Sequence, residues 1–300
     1  MPGHPGPLAT VGWMRFVIVG VGAVGGTVAA ELVLAGVDVL AVARGAHGAA
    51  IASRGLDYAT PDSAHVVALD VVPSLSDAAI GPDDVVVLGM KSQDTAAVLD
   101  DLRVLAPDAP VVCLQNGIDN ERQALRRFAD VYGICVMLPG EHLEPGVVRC
   151  HATPAPGILD VGRYPFGTDA TSDAIAAALR SARFASESRP DVMRSKARKL
   201  LMNLGNALDA LLGPARRDEF AGLVEAAVDE GEAAYAAAGV DVVSVADDRR
   251  RRGDVFRVRP IGEGRRGGGS TFQSMHRGLP VETDYLTGEI VLLGRLHGVP

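Results

Sequence analysis

The feature that most constrains this chain is Gly20-Val21-Gly22-Ala23-Val24-Gly25, a G-x-G-x-x-G run directly behind the short apolar segment Phe16-Val17-Ile18-Val19. Four apolar, partly β-branched residues stopped by glycine suit a strand buried in a parallel sheet. The residues that follow predict a helix over 23–35 stopped at Gly36, then a second strand over 37–42. Strand, glycine turn, helix and parallel strand in roughly 30 residues make a β-α-β unit. In that frame each glycine has a task. Gly20 permits the tight turn, Gly22 removes a side chain that would hold the backbone off a pyrophosphate, and Gly25 lets helix and sheet pack closely. The helix N-terminus adds free N–H groups and partial positive charge for the anion, so the whole run Gly20, Gly22, Ala23, Val24 and Gly25 is a candidate cofactor site. A glycine-rich packing turn is the bland alternative, and the complete β-α-β frame argues against it.

The same grammar continues. Strands are expected at 66–72, 85–88 and 111–114 and helices at 95–105 and 120–128, which predicts an α/β, Rossmann-type doubly wound N-terminal domain. Over 131–161 short apolar runs broken by proline and glycine predict extra strands that extend the sheet, some antiparallel. Beyond Pro190 helical periodicity takes over, at 191–212, 217–238, 270–277 and 282–296, so the C-terminal domain should be all-α. A chain of 300 residues also exceeds the usual size of one core. The expected division is a flexible extension over 1–14, a dinucleotide-binding domain over 15–190 and a helical substrate domain over 191–300. The segment 247–269, with four consecutive arginines at 249–252 and three glycines at 267–269, is expected to be a solvated mobile loop, the alternative being a lid that contacts phosphate.

Bulk properties exclude several classes. A formal charge of -8 lacks the basic footprint of a nucleic-acid binder. Cys113, Cys135 and Cys150 are odd in number and share no C-x-x-C spacing, which argues against a disulfide framework and a zinc site and for a reducing cytoplasm. Histidines at ligand spacing are missing too, so no metal is expected. The apolar stretch 16–43 imitates a membrane span, but Glu31 and Asp38 would then lie in lipid, and no membrane partner is expected. The proline- and glycine-rich start lacks the pattern of a signal peptide.

An NAD-preferring site places an acid at the end of the second strand, about 20 residues beyond the glycines, to accept from the ribose 2′-hydroxyl. Ala43-Arg44 stands there instead. A guanidinium pairs with a 2′-phosphate, and the absence of a carboxylate removes a repulsion, so the expected cofactor is NADPH. Arg44 as an ordinary surface arginine is the alternative.

Further blocks carry a resemblance: Met90-Lys91-Ser92-Gln93-Asp94-Thr95, Leu114-Gln115-Asn116-Gly117, Lys199-Leu200-Leu201-Met202-Asn203, and Ser270 followed by Glu282-Thr283-Asp284-Tyr285-Leu286-Thr287-Gly288. In order and spacing the chain resembles the ketopantoate reductase (2-dehydropantoate 2-reductase) family over residues 15–300. The resemblance implies NADPH-dependent reduction of the C2 ketone of a small 2-oxo acid. It makes Lys199 the proton donor and Glu282 the residue that orients substrate and lysine. It also puts Asn203 and Ser270 on the substrate, and Lys91 and Asn116 where the family touches cofactor and substrate.

The residues can be weighed without the family. At 100° per residue Lys199, Asn203 and Asn206 share one helix face, a polar stripe with few charges. A solvated face is the alternative, although such faces favour Glu, Lys and Arg over Asn. A lysine acts as the acid only in a site that excludes water, either by losing its proton readily there or by supplying an alkoxide formed first. Ser270 and Gln273 have capping-box spacing, so Ser270 is expected at an N-cap, which is compatible with holding a carboxylate. Glu282 with Asp284 could merely complement a helix dipole. Ala207 replaces a second asparagine of the family, with Asn206 one place earlier, and Ala197 replaces an aromatic residue. Relatives continue into another helix beyond the position of Pro300, which leaves a shortened or differently closed second domain as expectations. A reductase of another 2-oxo acid and a non-catalytic NADPH-binding paralogue stay open beside the main reading, and the apolar stretch 290–293 is expected to face either a homodimer partner or the further helix of relatives.

Overall fold

The computed structural model of the chain describes residues 14–262 and 268–300. Residues 1–13 of the extension expected over 1–14, and residues 263–267 of the loop expected over 247–269, lie outside them. Met14 belongs to the fold: it is buried against the sheet, because its side chain is apolar and β1 starts beside it.

The first half alternates strand and helix: β1 (Arg15–Val19), α1 (Ala23–Leu34), β2 (Val39–Val42), α2 (Gly45–Arg54), β3 (Leu56–Ala59), β4 (Ala64–Val67), β5 (Asp70–Val72), β6 (Asp84–Leu88), α3 (Thr95–Leu105), β7 (Val111–Cys113) and α4 (Asn120–Leu125). Next come β8 (Val131–Met137), β9 (Gly140–Glu141), β10 (Val147–Cys150), β11 (Ala152–Pro154), β12 (Ile158–Arg163) and α5 (Ala170–Ser181). The C-terminal region comprises α6 (Val192–Asn203), α7 (Asn206–Leu212), α8 (Ala221–Ala238), α9 (Val245–Arg252), β13 (Phe256–Val258), α10 (Ser270–His276) and α11 (Thr287–His297).

Seven strands form the main sheet in the order β12-β8-β7-β6-β1-β2-β5, all parallel except β12, which runs antiparallel to β8. Alternation along each strand feeds two cores. Phe16, Ile18, Val85 and Val87 face one layer, and Val17, Val19, Val86 and Leu88 face the other. Strand order reverses between β1 and β6, and a crevice opens beyond the carboxyl ends of strands at such a switch point. A third core joins Ala197, Leu200, Leu201 and Leu204 of α6 to Ala234 and Tyr235 of α8 and to Ile290 and Leu293 of α11.

Several expectations are corrected. The strand expected over 66–72 is two strands in different sheets: β4 pairs with β3, an unexpected strand, while β5 extends the main sheet beside β2. The helix expected over 191–212 breaks at Leu204-Gly205, where the Leu204 N–H turns to the Leu201 carbonyl and a 3-10 step replaces the α pattern. The helices expected from 217 and from 282 instead begin with 3-10 turns, Pro214–Phe220 and Thr283–Tyr285. The described part of 247–269 is not a free loop. Its four consecutive arginines lie on α9, where Arg251 donates to Asp160 of β12 at 2.6 and 2.8 Å, and β13 pairs with β11. The C-terminal region is thus helical with one added strand. In the stretch 290–293, Ile290 and Leu293 are core residues and only Val291 and Leu292 are exposed.

Candidate active site

The site is built on the turns that follow β1, β6 and β7. After β1 the chain turns at Gly20, whose φ is 90° and where a Cβ would come within 2.6 Å of the Met90 backbone nitrogen. Two loops therefore meet backbone to backbone, which only glycine allows. A Cβ on Gly25 would collide with the Gly20 carbonyl, so this glycine acts sterically, from behind the turn. At Gly22 a Cβ would meet nothing within 4 Å. No side chain caps the start of α1, so its first N–H groups remain available to a ligand.

Two histidines absent from the sequence reading support this turn. The Gly146 N–H donates to His47 Nδ1 at 2.8 Å, which makes Nδ1 an acceptor and puts the proton on Nε2, 2.9 Å from the Val21 carbonyl that accepts it. The His142 ring lies 4.1 Å from that of His47, and its Nδ1 is 2.9 Å from the Val147 carbonyl. Burial pushes His142 down to about 4 and lowers His47 as well, with Arg277 acting in the same direction on both.

A continuous groove runs from this turn in three sections. The first, about 360 Å³, is lined by Gly20, Gly22, Arg44, Asp94 and Asp101. Arg44 is 84% exposed and 3.2 Å from Asp94. The second, about 260 Å³, shares Gly20, Gly22, Met90, Asp94 and His142 with the first and adds Ala23, Val24, Lys91, Asn116, Ser270, Arg277 and Glu282. The third, about 510 Å³, shares Ala23, Val24, Asn116, Ser270 and Gln273 with the second and is lined by Lys199, Asn203 and Asn206. The helix break does not scatter the polar stripe. Lys199 and Asn203 lie one turn apart on α6, and Asn206 starts α7, its Oδ1 against Gly269 at the entry to α10.

Glu282 is buried at the second section and accepts from Lys91 Nζ at 2.6 Å, from the Ser92 N–H at 2.9 Å and from Ser92 Oγ at 3.1 Å. It thereby joins the C-terminal region to the β6 turn through three bonds, which a dipole-complementing surface acid would not make. Ser270 is the first residue of α10, not its cap. Gly269 is the N-cap, and no side-chain capping bond forms, which corrects the capping-box expectation. The Gln273 side chain points elsewhere, donating to the Gly140 and Gly268 carbonyls at 3.1 and 3.2 Å.

Behind the groove lies a buried pair with no sequence signal. Lys196, three residues before Lys199, places its Nζ 2.8 Å from Glu121 and donates to the Gln115 and Ile134 carbonyls at 2.7 and 3.1 Å. Burial raises the Glu121 carboxyl above its usual range, with Lys196 opposing the shift. The pair pins the turn that carries Gln115 and Asn116 to the helix that carries Lys199.

These features fit a dinucleotide. The glycine turn is open at Gly22 and backed by an uncapped helix start. Gln115, which lines the second section, keeps a buried Oε1 without a hydrogen-bond partner among the described residues, an acceptor open to an amide donor. A groove at the switch point of a doubly wound sheet, walled by a helical region that brings a lysine and amides to its end, is the arrangement of a dinucleotide-dependent oxidoreductase.

The particular family follows from comparison with known proteins. Residues 16–165 match the family model described as ketopantoate reductase PanE/ApbA, and residues 191–300 match that of the ketopantoate reductase PanE/ApbA C terminal. The chain belongs to the ketopantoate reductase family. It is 28% identical over 202 residues to a 2-dehydropantoate 2-reductase of Pyrococcus horikoshii, a match that spans 66% of this chain and 64% of that relative. It is 26% identical over 287 residues to the enzyme of the same name from Pyrococcus abyssi, spanning 93% and 90% of the two chains. The crystal structure of a PanE/ApbA family ketopantoate reductase from Ralstonia eutropha JMP134 superposes with a TM-score of 0.76 at 29% identity, covering 96% of this chain and 93% of that one.

Proposed function

We propose that this protein reduces the C2 ketone of 2-dehydropantoate to pantoate with NADPH, and that Lys199 supplies the proton. The observation that carries the reading is the third groove section, where Lys199, Asn203, Asn206, Ser270 and Asn116 converge beside the start of the glycine-turn helix. The bound nicotinamide would supply a hydride to the ketone carbon. The chain's own part is to hold the acid and to orient it. Lys199 Nζ gives its proton to the ketone oxygen as charge develops there and regains one from solvent. Asn203 and Asn206 offer amide donors to the hydroxyl end of the substrate, and Ser270, at the start of α10, holds the carboxylate. Lys91 and Glu282 orient the wall between cofactor and substrate. Arg44 faces the 2′-phosphate.

Pairing through α11, whose Val291, Leu292 and Leu296 are exposed, is the homodimer contact this reading favours. A second reading keeps the chemistry and changes the 2-oxo acid. It is favoured by two observations: the 3-10 step at Leu204-Gly205 sets Asn206 against Gly269, and the sequence has Ala207 where the family resemblance implies a second asparagine. A methylene more or less in a pocket is worth only about 1–3 kcal/mol, so the choice of acid belongs to experiment.

The test is NADPH oxidation, followed by the loss of its near-ultraviolet absorbance, with ketopantoate and a panel of small 2-oxo acids. Turnover of ketopantoate well above the others is expected, and turnover of a different acid would favour the second reading. Lys199→Ala is expected to lose turnover by about 10²- to 10⁴-fold while NADPH affinity stays within twofold, the signature of an acid that acts on the reacting oxygen. An equal loss of both would remove Lys199 from that role.

A further inference from the structure

The sequence places no acid at the end of β2, yet the structure brings one to the same spot from elsewhere. Asp94 lies on the turn between β6 and α3, 50 positions from Arg44 in sequence, and its carboxylate is 3.2 Å from the Arg44 guanidinium. Both line the first section of the groove, together with Asp101. His47 and His142 line it too, and both are held neutral by burial. The section therefore offers one guanidinium against two carboxylates to whatever substituent the adenosine ribose carries.

We infer that Asp94 is a specificity-determining residue for the cofactor, opposing the Arg44 preference for a 2′-phosphate. The inference rests on the proposed NADPH reading and goes further, because it predicts that the preference over NADH is blunted in the protein as it stands. Two effects act in the same direction. A 2′-phosphate carrying between one and two negative charges must take Arg44 from Asp94 and still share the section with that carboxylate. A 2′-hydroxyl is a donor, and Asp94 can accept from it as an acid at the end of β2 would. With Arg44 84% and Asp94 42% exposed, the ion pair itself contributes little and is easily opened. What remains is the carboxylate's charge beside the phosphate. The half-buried position of Asp94 keeps its charge less screened than that of a freely solvated side chain. Both residues are held by rigid elements: Arg44 is the N-cap of α2, and Asp94 ends the 3-10 turn that leads into α3.

The experiment is equilibrium titration of NADPH and NADH, read by nucleotide fluorescence, on the full chain and on Asp94→Asn, Arg44→Ala and the double variant. Asparagine keeps the shape and removes the charge. Asp94→Asn is expected to raise the preference for NADPH over NADH by about five- to tenfold, a step that shrinks at high salt. Arg44→Ala is expected to move the preference toward NADH, and the double variant to lie between the two single ones. If Arg44→Ala moves the ratio and Asp94→Asn leaves it within twofold, the inference is overturned and the NADPH reading stands. If neither substitution moves it, Arg44 is removed from the cofactor site and the inference is overturned with it. If Asp94→Asn lowers the preference, Asp94 positions Arg44 for the phosphate, and the inference is overturned in sign.

Discussion

At the scale of single residues, the groove is governed by groups whose surroundings change their chemistry. His142 is the clearest case. An unfolded histidine takes up its proton near pH 6.5 and buried His142 only near about 4, so between those values the unfolded chain binds more protons and stability falls as pH drops. The contribution is fully present above the upper value and is lost on descent to the lower one, of order 3 kcal/mol in all. Denaturant midpoints of His142→Gln across this window should fall less steeply than those of the parent, the carboxylates that titrate there being common to both. Equal slopes would show that His142 is not the buried neutral group. Neither this histidine nor His47 stood out in sequence, because the contacts that set them join distant segments: His47 meets Val21 and Gly146, and His142 packs on the His47 ring.

At the scale of elements, α6 does two jobs with one helix. Lys199 and Asn203 line the groove, while Lys196 turns to the sheet and meets Glu121 of α4 and the carbonyls behind β7 and β8. Removing one partner of such a pair leaves the other charged in the dark, and the cost is about 3–5 kcal/mol. Lys196→Met is therefore expected to lower unfolding stability by that amount, and adding Glu121→Leu should recover most of it. Failure of the double variant to recover would mean that the two backbone bonds of Lys196, not the ion pair, hold the helix. A lysine on a helix reads as a solvated residue in sequence, since nothing local reveals which face the sheet will cover. The break at Leu204-Gly205 was hidden for the same reason. A Cβ on Gly205 would sit 3.3 Å from Val224 of α8, a neighbour known only once the helices pack.

At the scale of the whole molecule, the helical region is fastened to the sheet at points far apart in the chain. Glu282 takes Lys91 and Ser92 on the groove side. Away from it, Arg251 donates twice to buried Asp160, and β13 adds to β11. A separate cavity of about 270 Å³ beside that contact, lined by Arg251, Arg252, Asp160 and Asp248, shares no lining residue with the groove. Two ion pairs lie within its lining, Arg251 to Asp160 and Arg252 to Asp248. Arg251→Ala is expected to cost about 2 kcal/mol, because charge-assisted bonds to a buried carboxylate are lost. Amide exchange should then rise in α9 and β13 while β1 and β6 stay protected. A uniform rise through the sheet would show that Arg251 supports global stability and not this junction.

What the sequence determined by itself is the part of the fold written in local periodicity. The alternation of apolar strands and helices, the glycine turn after β1 and the shift to helical pattern beyond Pro190 all follow from steric and hydrophobic rules that act over a few residues. The motif order also carried the family. What only the tertiary structure decided depends on which surfaces meet: the split of 66–72 between two sheets, the ordering of the four-arginine run into α9, the lysine buried against Glu121, and the carboxylate of Asp94 beside Arg44. Each joins groups from distant segments, and burial and Coulomb energy depend on distance in space, which spacing along a chain does not encode.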